Sequence, residues 1–259
     1  MRALAAFLLC AATLGLALSS GACSSASDLL PDTGLPDAGP FAVSGTVSTF
    51  PLATHWYAEQ GKSSPSRDGL SVRLEDPFVA AHFPDAGVDV ASTVAEDGRF
   101  AFFAVDGRLA VGMAALVTDP RAPALVIPSE SFLFEGGPQS VSGTDAYALP
   151  ADFAGALAAA TRVADLEEQG FLLGVVHDAT GHPVAGAGIV GHDLDNTRVR
   201  YLADDLTLVP DGNATGATGA FLVPGRLDLM NFSVVGLEGY SRRKAQVLPG
   251  RAFLIVFQP

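Results

Sequence analysis

From residue 41 onward, short apolar runs alternate with clusters of Gly, Pro, Asp and Thr, the pattern of many strands joined by turns. Phe41-Ala-Val-Ser-Gly-Thr-Val47 alternates with a period of two, and strand-like runs follow at 70–74, 99–103 and 109–117. Asp97-Gly98, set between Val94 and Phe100, signals a hairpin, because glycine accepts the positive φ that tight turns need. The stretch 120–150 holds no sustained period and reads as irregular, with strand character at 124–127 and 131–134. Residues 151–169 carry the one helical pattern. Phe153, Leu157, Ala160 and Val163 or Ala164 recur on one face, Asp152 stands in the first turn, and Gly170 ends it. Two further apolar runs, 171–176 and 253–257, bound the C-terminal part.

The most informative stretch is strand, turn, strand over 171–190. Asp178-Ala-Thr-Gly181 supplies the turn chemistry, and Pro183 fixes φ where the chain becomes extended again. The series Gly174-x-Val176-x-Asp178-x-x-Gly181-x-Pro183-Val184-x-Gly186-Ala187 resembles the opening of carboxypeptidase regulatory-like domains, the transthyretin-like (prealbumin-like) β-sandwiches. In that family a Thr, a Gly and an aromatic residue close a hairpin, as Thr215-Gly-Ala-Thr-Gly219-Ala-Phe221 does here. A strand running into a Gly-aromatic pair follows, matched by Phe232 to Gly239-Tyr240, and then the last strand, 253–257. The resemblance covers the last third of the chain. It implies a Greek-key β-sandwich from a mostly non-catalytic family.

Two echoes of this pattern stand earlier. Gly45-x-Val47 parallels Gly174-x-Val176, and Gly98-Arg-Phe100 parallels Gly219-Ala-Phe221. They predict a degenerate first copy of the sandwich, without the Asp-x-x-Gly-x-Pro turn and with a polar segment at 57–67 in its place. The expected layout is thus a signal peptide at 1–22, a lipidated tether at 23–40, and a degenerate β-sandwich at 41–120. A linker with its helix follows at 121–168, and a second β-sandwich at 169–259. The fold class is mainly β.

The N-terminus reads as a processing signal. Arg2 precedes an almost wholly apolar run at 3–18, and Ser19-Ser-Gly-Ala-Cys23 follows. This resembles a bacterial lipobox, in which a signal peptidase cuts before Cys23 and its thiol is lipidated, although Ser20 stands where that pattern prefers Leu. The run is short for a bilayer span of ~20 residues. Cys10 would be removed with the signal, leaving Cys23 acylated and the folded part free of cysteine. Two or three acyl chains, at ~0.8 kcal/mol per buried CH₂, make such anchoring effectively permanent. Ser24 after the anchor, by resemblance to Gram-negative lipoproteins, points to the outer membrane. Residues 24–40, rich in Ser, Pro, Gly and Asp, form a tether with a mean span of roughly 25 Å.

Charge narrows the partners. Without residues 1–22, which contribute only Arg2, the chain has 14 basic and 28 acidic residues, or −14. That argues against nucleic acid and anionic lipid surfaces. Hydrophobic residues at 49% against 17% charged ensure that a core can form.

Candidate chemistry is thin. Gly186-Ala-Gly188-Ile-Val-Gly191 matches G-x-G-x-x-G, but a turn precedes it and an extended stretch follows, whereas a dinucleotide site needs a strand before and a helix after. No cofactor is expected. The histidines, His55, His82, His177, His182 and His192, show no zinc-ligand spacing. Asp193, Asp195 and Asp211, with Asn196, Asp204, Asp205 and Asn213 nearby, are weak candidates for Ca²⁺, since oxygen-rich loops hold that ion; their spacing fits no EF-hand. Trp56 and Tyr57, expected in a loop, offer ring faces for a glycan or partner. The reading these features give is a non-catalytic envelope lipoprotein with a binding, adhesion or structural role toward a protein or glycan. The alternative is an envelope or secreted enzyme, such as a hydrolase, with its site in the Asp-rich loops of the second domain.

Overall fold

A computed structural model describes residues 40–82, 88, 90–106, 109–209 and 212–259. The expected signal peptide, Cys23, the tether up to residue 39 and Asp211 lie outside the described residues. In chain order the strands and helices are β1 (Phe41–Thr49), α1 (Pro51–Glu59), β2 (Ser71–Glu75), α2 (Pro77–His82), β3 (Val90–Thr93), β4 (Arg99–Val105) and β5 (Gly112–Thr118). Next come β6 (Val126–Ile127), β7 (Ser129–Glu135), β8 (Val141–Pro150), α3 (Ala151–Thr161), α4 (Leu166–Gln169) and β9 (Phe171–Val176). The chain finishes with β10 (Gly188–Gly191), β11 (Arg200–Tyr201), β12 (Ala220–Pro224), β13 (Leu227–Val235), β14 (Arg243–Val247) and β15 (Ala252–Phe257). The protein is mainly β.

Three sheets organise these strands: β4-β1-β8-β6, β10-β13-β14, and an eight-stranded sheet in the order β11-β12-β9-β15-β7-β5-β2-β3. The four-stranded sheet packs on the β7-β5-β2-β3 half of the long sheet. Alternate residues of β1 (Phe41, Val43, Val47) and of β2 (Leu70 just before it, Val72 and Leu74) meet there with Phe100, Met113 and Val117. The three-stranded sheet packs on the β12-β9-β15 half through Leu172, Val176, Phe221, Phe232, Phe253 and Phe257. Two sandwiches result, fused where β15 pairs in parallel with β7.

Each sandwich holds the same three-strand core. β1 lies between antiparallel β4 and parallel β8, as β9 lies between antiparallel β12 and parallel β15. The strand that corresponds to β15 is therefore β8, which ends at Pro150 inside the stretch read as irregular linker. That stretch contains three strands, β6, β7 and β8. Their sequences look irregular because Ser129 and Ser131 are buried polar residues whose hydroxyls accept from the backbone amides of Leu149 and Tyr147, at 3.1 and 3.3 Å.

Every residue of β9 is buried, because both faces of its sheet are covered. One face looks into the second sandwich. The other is closed by the helices, with Phe50, Leu52, Phe153 and Leu157 set on Phe171, Leu173, Val175, Leu222 and Leu254. The helix expected over 151–169 is broken into α3 and α4. Arg162 and Asp165 take left-handed φ of 53° and 52°, and the Thr161 hydroxyl donates back to Leu157 O at 2.7 Å, a bond that competes with helix continuation. The break lets Leu166 re-enter the core, 2% exposed, before β9 begins. No described helix is long and apolar enough to cross a membrane.

Candidate functional site

The Asp-bearing loops of the second sandwich are built from a repeated local device. In Asp178-Ala-Thr-Gly181, Asp178 Oδ1 accepts from Thr180 N (2.8 Å), Thr180 Oγ1 (2.6 Å) and His182 N (3.0 Å), and Gly181 takes a φ of 85°. Asp195 Oδ1 accepts from Thr197 N at 3.0 Å. Asp205 Oδ1 accepts from Thr207 N at 3.0 Å and from its hydroxyl at 2.6 Å. Each is an Asp whose carboxylate folds onto the amide two residues later, a turn that leaves the charged form favoured. The bond from the Thr180 hydroxyl, first among several, lowers the Asp178 pKa to about 2. Hydrogen bonds from Thr197 and Thr207 lower those of Asp195 and Asp205.

Asp195 serves its own turn, while Asp193, at a left-handed φ of 62°, lies 3.4 Å from His192 Nε2 with both side chains exposed. Among the described residues no group of three or more His, Cys, Asp or Glu is placed to hold a metal ion.

Asp178, Thr180 and His182 stand together, with Thr180 Oγ1 2.7 Å from His182 Nδ1. A nucleophile triad needs the imidazole between hydroxyl and carboxylate, so that it takes the proton while the carboxylate orients it. Here the hydroxyl sits between the other two, and the His182 side chain is 78% exposed. The arrangement shapes a turn. His177 is buried behind it, which lowers its pKa, and its carbonyl accepts from the Tyr240 hydroxyl at 2.9 Å.

The glycines of the G-x-G-x-x-G match run into β10, a strand paired with β13, with no helix opening after them. Gly188 and Gly191 instead make room for neighbours: a Cβ there would lie 2.7 Å from Val235 Cγ2 and 2.8 Å from Leu194 Cβ. The geometry of a pyrophosphate cradle is missing from this stretch.

Trp56 and Tyr57 are on α1, not in a loop. Pro51 opens that helix at N1, where its missing amide costs nothing. Tyr57 is 3% exposed, and its hydroxyl donates to Asp152 Oδ1 on α3. Burial, then this bond, raises the Tyr57 pKa. Trp56 is half-buried and packs edge-on against Phe153, with Lys62 Nζ 6.0 Å from its ring centre. Of the two aromatics, the indole alone retains an accessible surface. On the first sandwich a shallow groove passes Ser44, Thr46, Arg99, Ala101 and Gly143, and Phe103 on edge strand β4 is 83% exposed.

Three buried carboxylates escaped the sequence pattern. Asp76 gathers four backbone amides: Phe78 and Val79 at the start of α2, and Ala110 and Val111 across the fold. Glu75 and Glu130 meet Arg251 where the sandwiches join. All three carboxylates lie just outside the apolar runs at 70–74 and 131–134, so the local pattern gave no signal for them.

Comparison with known proteins gives little to add. No protein-family model matches the chain, and no curated protein sequence matches it. Among solved structures, the shaft pilin SpaA of Lactobacillus rhamnosus GG is 16% identical over 85% of this chain and 98% of its own, with a TM-score of 0.26. A streptococcal ancillary pilin is 15% identical over 84% and 68%, at 0.23. The minor pilin GBS52 of Streptococcus agalactiae is 9% identical over 84% and 94%, at 0.25. Scores this low establish neither a common fold nor a family.

Proposed function

We propose that the protein is a non-catalytic cell-envelope lipoprotein, anchored through Cys23, whose two prealbumin-like sandwiches serve a binding, adhesion or structural role toward an envelope protein or glycan. The observation that carries this reading over a hydrolase is the use made of the loop carboxylates. Asp178, Asp195 and Asp205 each accept hydrogen bonds from their own turns, which shapes the loops and leaves those oxygens engaged. The anchor and the fold also suit each other. The tether leads into β1, an inner strand bonded on both sides, so tension on the lipid end is taken up by two ladders. Localisation to the outer membrane rests on Ser24 after the anchor.

Cys23→Ser tests the anchor. Wild-type chain, expressed with radiolabelled palmitate, is expected to carry label and to leave the membrane fraction with detergent but not with salt. The variant should accumulate as an unlabelled precursor. A variant cleaved and fractionated like wild type would sink the lipoprotein reading.

A further inference from the structure

Glu130 sits in the seam between the two sandwiches. β7 and β15 pair there through two positions, Ala252↔Ser129 and Phe253↔Glu130. The Glu130 side chain is 2% exposed, and its Oε1 has no hydrogen-bond partner. Glu75, on β2 two strands away in the same sheet, is also buried. One nitrogen of Arg251, in the turn before β15, is shared between them. Arg251 Nη1 donates to Glu75 Oε1 and lies 3.4 Å from Glu130 Oε2. Arg73, on β2, is committed to Glu75, its Nη2 donating to Oε2 at 2.9 Å. The charged groups facing Glu130 are thus Glu75 and Arg73 from β2 and Arg251 from the turn.

A carboxylate withdrawn from water is tolerable when a cation and donors satisfy it. Glu130 has one long contact to a cation that a second carboxylate already holds, and one oxygen with nothing. As a neutral acid it avoids most of this cost. We propose that Glu130 keeps its proton at neutral pH and that the seam is pH-sensitive, tight while the proton is present and loosened when alkali removes it.

Burial first, then the charge on Glu75, pushes the Glu130 carboxyl from 4.5 up to about 8, with Arg251 opposing. The unfolded chain ionises this group near its ordinary value. Between that value and about 8, the folded state therefore holds a proton that the unfolded state does not, and stability falls as pH rises through the window. The contribution is complete below the ordinary glutamate range and gone once pH passes the folded value.

Glu130→Gln keeps the shape of the neutral acid but has no proton to lose. The full chain and this variant should be melted at a series of pH values from mildly acidic to mildly alkaline. The wild type is expected to lose several degrees relative to the variant as pH rises. In parallel, the ¹³C signal of the Glu130 carboxyl in the unmodified chain reads the proton without needing a folded variant. Its midpoint should lie well above the ordinary glutamate range, and Glu75→Gln should lower it by removing the like charge. Melting curves that stay parallel across the series, or a Glu130 midpoint in the ordinary range, would overturn the proposal.

Discussion

Phe221 lays its ring across Gly174 on the neighbouring strand, where any Cβ at position 174 would overlap the ring. Phe100 crosses Gly45 in the same way, and a Cβ there would lie 2.8 Å from the Phe100 Cζ. In both places a glycine two residues before the Phe takes positive φ, 66° at Gly219 and 85° at Gly98. The carbonyl of each then accepts from a valine amide, Val176 N at 2.9 Å and Val47 N at 2.8 Å. One strand–turn–aromatic unit is built twice, each time with a parallel strand completing it. These are the positions of the sequence parallels Gly45-x-Val47 with Gly174-x-Val176 and Gly98-Arg-Phe100 with Gly219-Ala-Phe221.

The turn opening the second copy permits a clean backbone test. Gly181 has a φ of 85°, and nothing lies within 4 Å of where its Cβ would stand. Gly181→Val should therefore cost roughly 1–3 kcal/mol from backbone strain alone, with no steric component. At Gly188 a Cβ would instead press on the flexible end of Val235. Thermal melts with and without NAD or FAD are expected to show a loss for Gly181→Val and no ligand-dependent shift in either variant or wild type. A cofactor-induced rise in wild type that vanishes in Gly188→Ala would contradict the module reading.

What the sequence made visible was local. Turn chemistry at Asp97-Gly98 and Asp178 to Gly181, and the uniformly apolar β9 and β15, declare themselves through short-range rules. What stayed hidden depends on distant partners. β8 begins Val-Ser-Gly-Thr-Asp and looks like loop, yet it pairs in parallel with β1, about a hundred residues earlier. Ser129 and Ser131 break the apolar signal of β7 because their hydroxyls serve β8. α1 spans only nine residues, Pro51 included, too few for a clear period. Of the candidate sites, Trp56 and Tyr57 stand on that helix, Tyr57 buried and Trp56 half-buried. The Glu75–Glu130–Arg251 cluster has no local signature, as its members come from three separated segments.

The covering of β9 bears on whether the region 169–259, proposed as a domain, folds alone. Starting the chain at 169 strips Phe50, Leu52, Phe153 and Leu157 from the outer face of β12-β9-β15. Each such side chain contributes about 1.5–3 kcal/mol when fully buried. A fragment of residues 150–259, which retains α3, should melt cooperatively and at higher temperature than one of residues 169–259. The shorter fragment should bind a hydrophobic dye more strongly. Equal melting temperatures would show that the helical layer is dispensable to the second sandwich.

Acid should act on the turn at Asp178 in the opposite sense to the seam. Its folded pKa lies below the ordinary value of 3.8, at about 2, so its contribution is present above the ordinary value and lost as pH falls through the folded one. The carboxylate is half exposed, and solvent screening keeps the effect small. A ¹³C titration of the Asp178 carboxyl should give a midpoint below that of ordinary aspartates, and Thr180→Val should raise it by removing the hydroxyl donor. A midpoint unmoved in Thr180→Val would contradict this account of the turn.

The repeated glycine–phenylalanine crossing is the core of the account, and a pair of double-mutant cycles tests it most directly. At Gly174 the three nearest atoms that an added Cβ would meet all belong to the Phe221 ring. At Gly45 the Cβ would also collide with the Thr144 carbonyl oxygen on β8, which no side-chain trimming removes. Gly174→Ala and Gly45→Ala should each cost roughly 1–3 kcal/mol, the usual scale of overpacking. Chemical unfolding of the two single variants, of Phe221→Leu and Phe100→Leu, and of both double variants gives the coupling at each site. The account predicts strong rescue of Gly174→Ala by Phe221→Leu and weaker rescue of Gly45→Ala by Phe100→Leu. Additive losses at position 174 would mean that the ring does not lie on that glycine, and would contradict the account of the crossing.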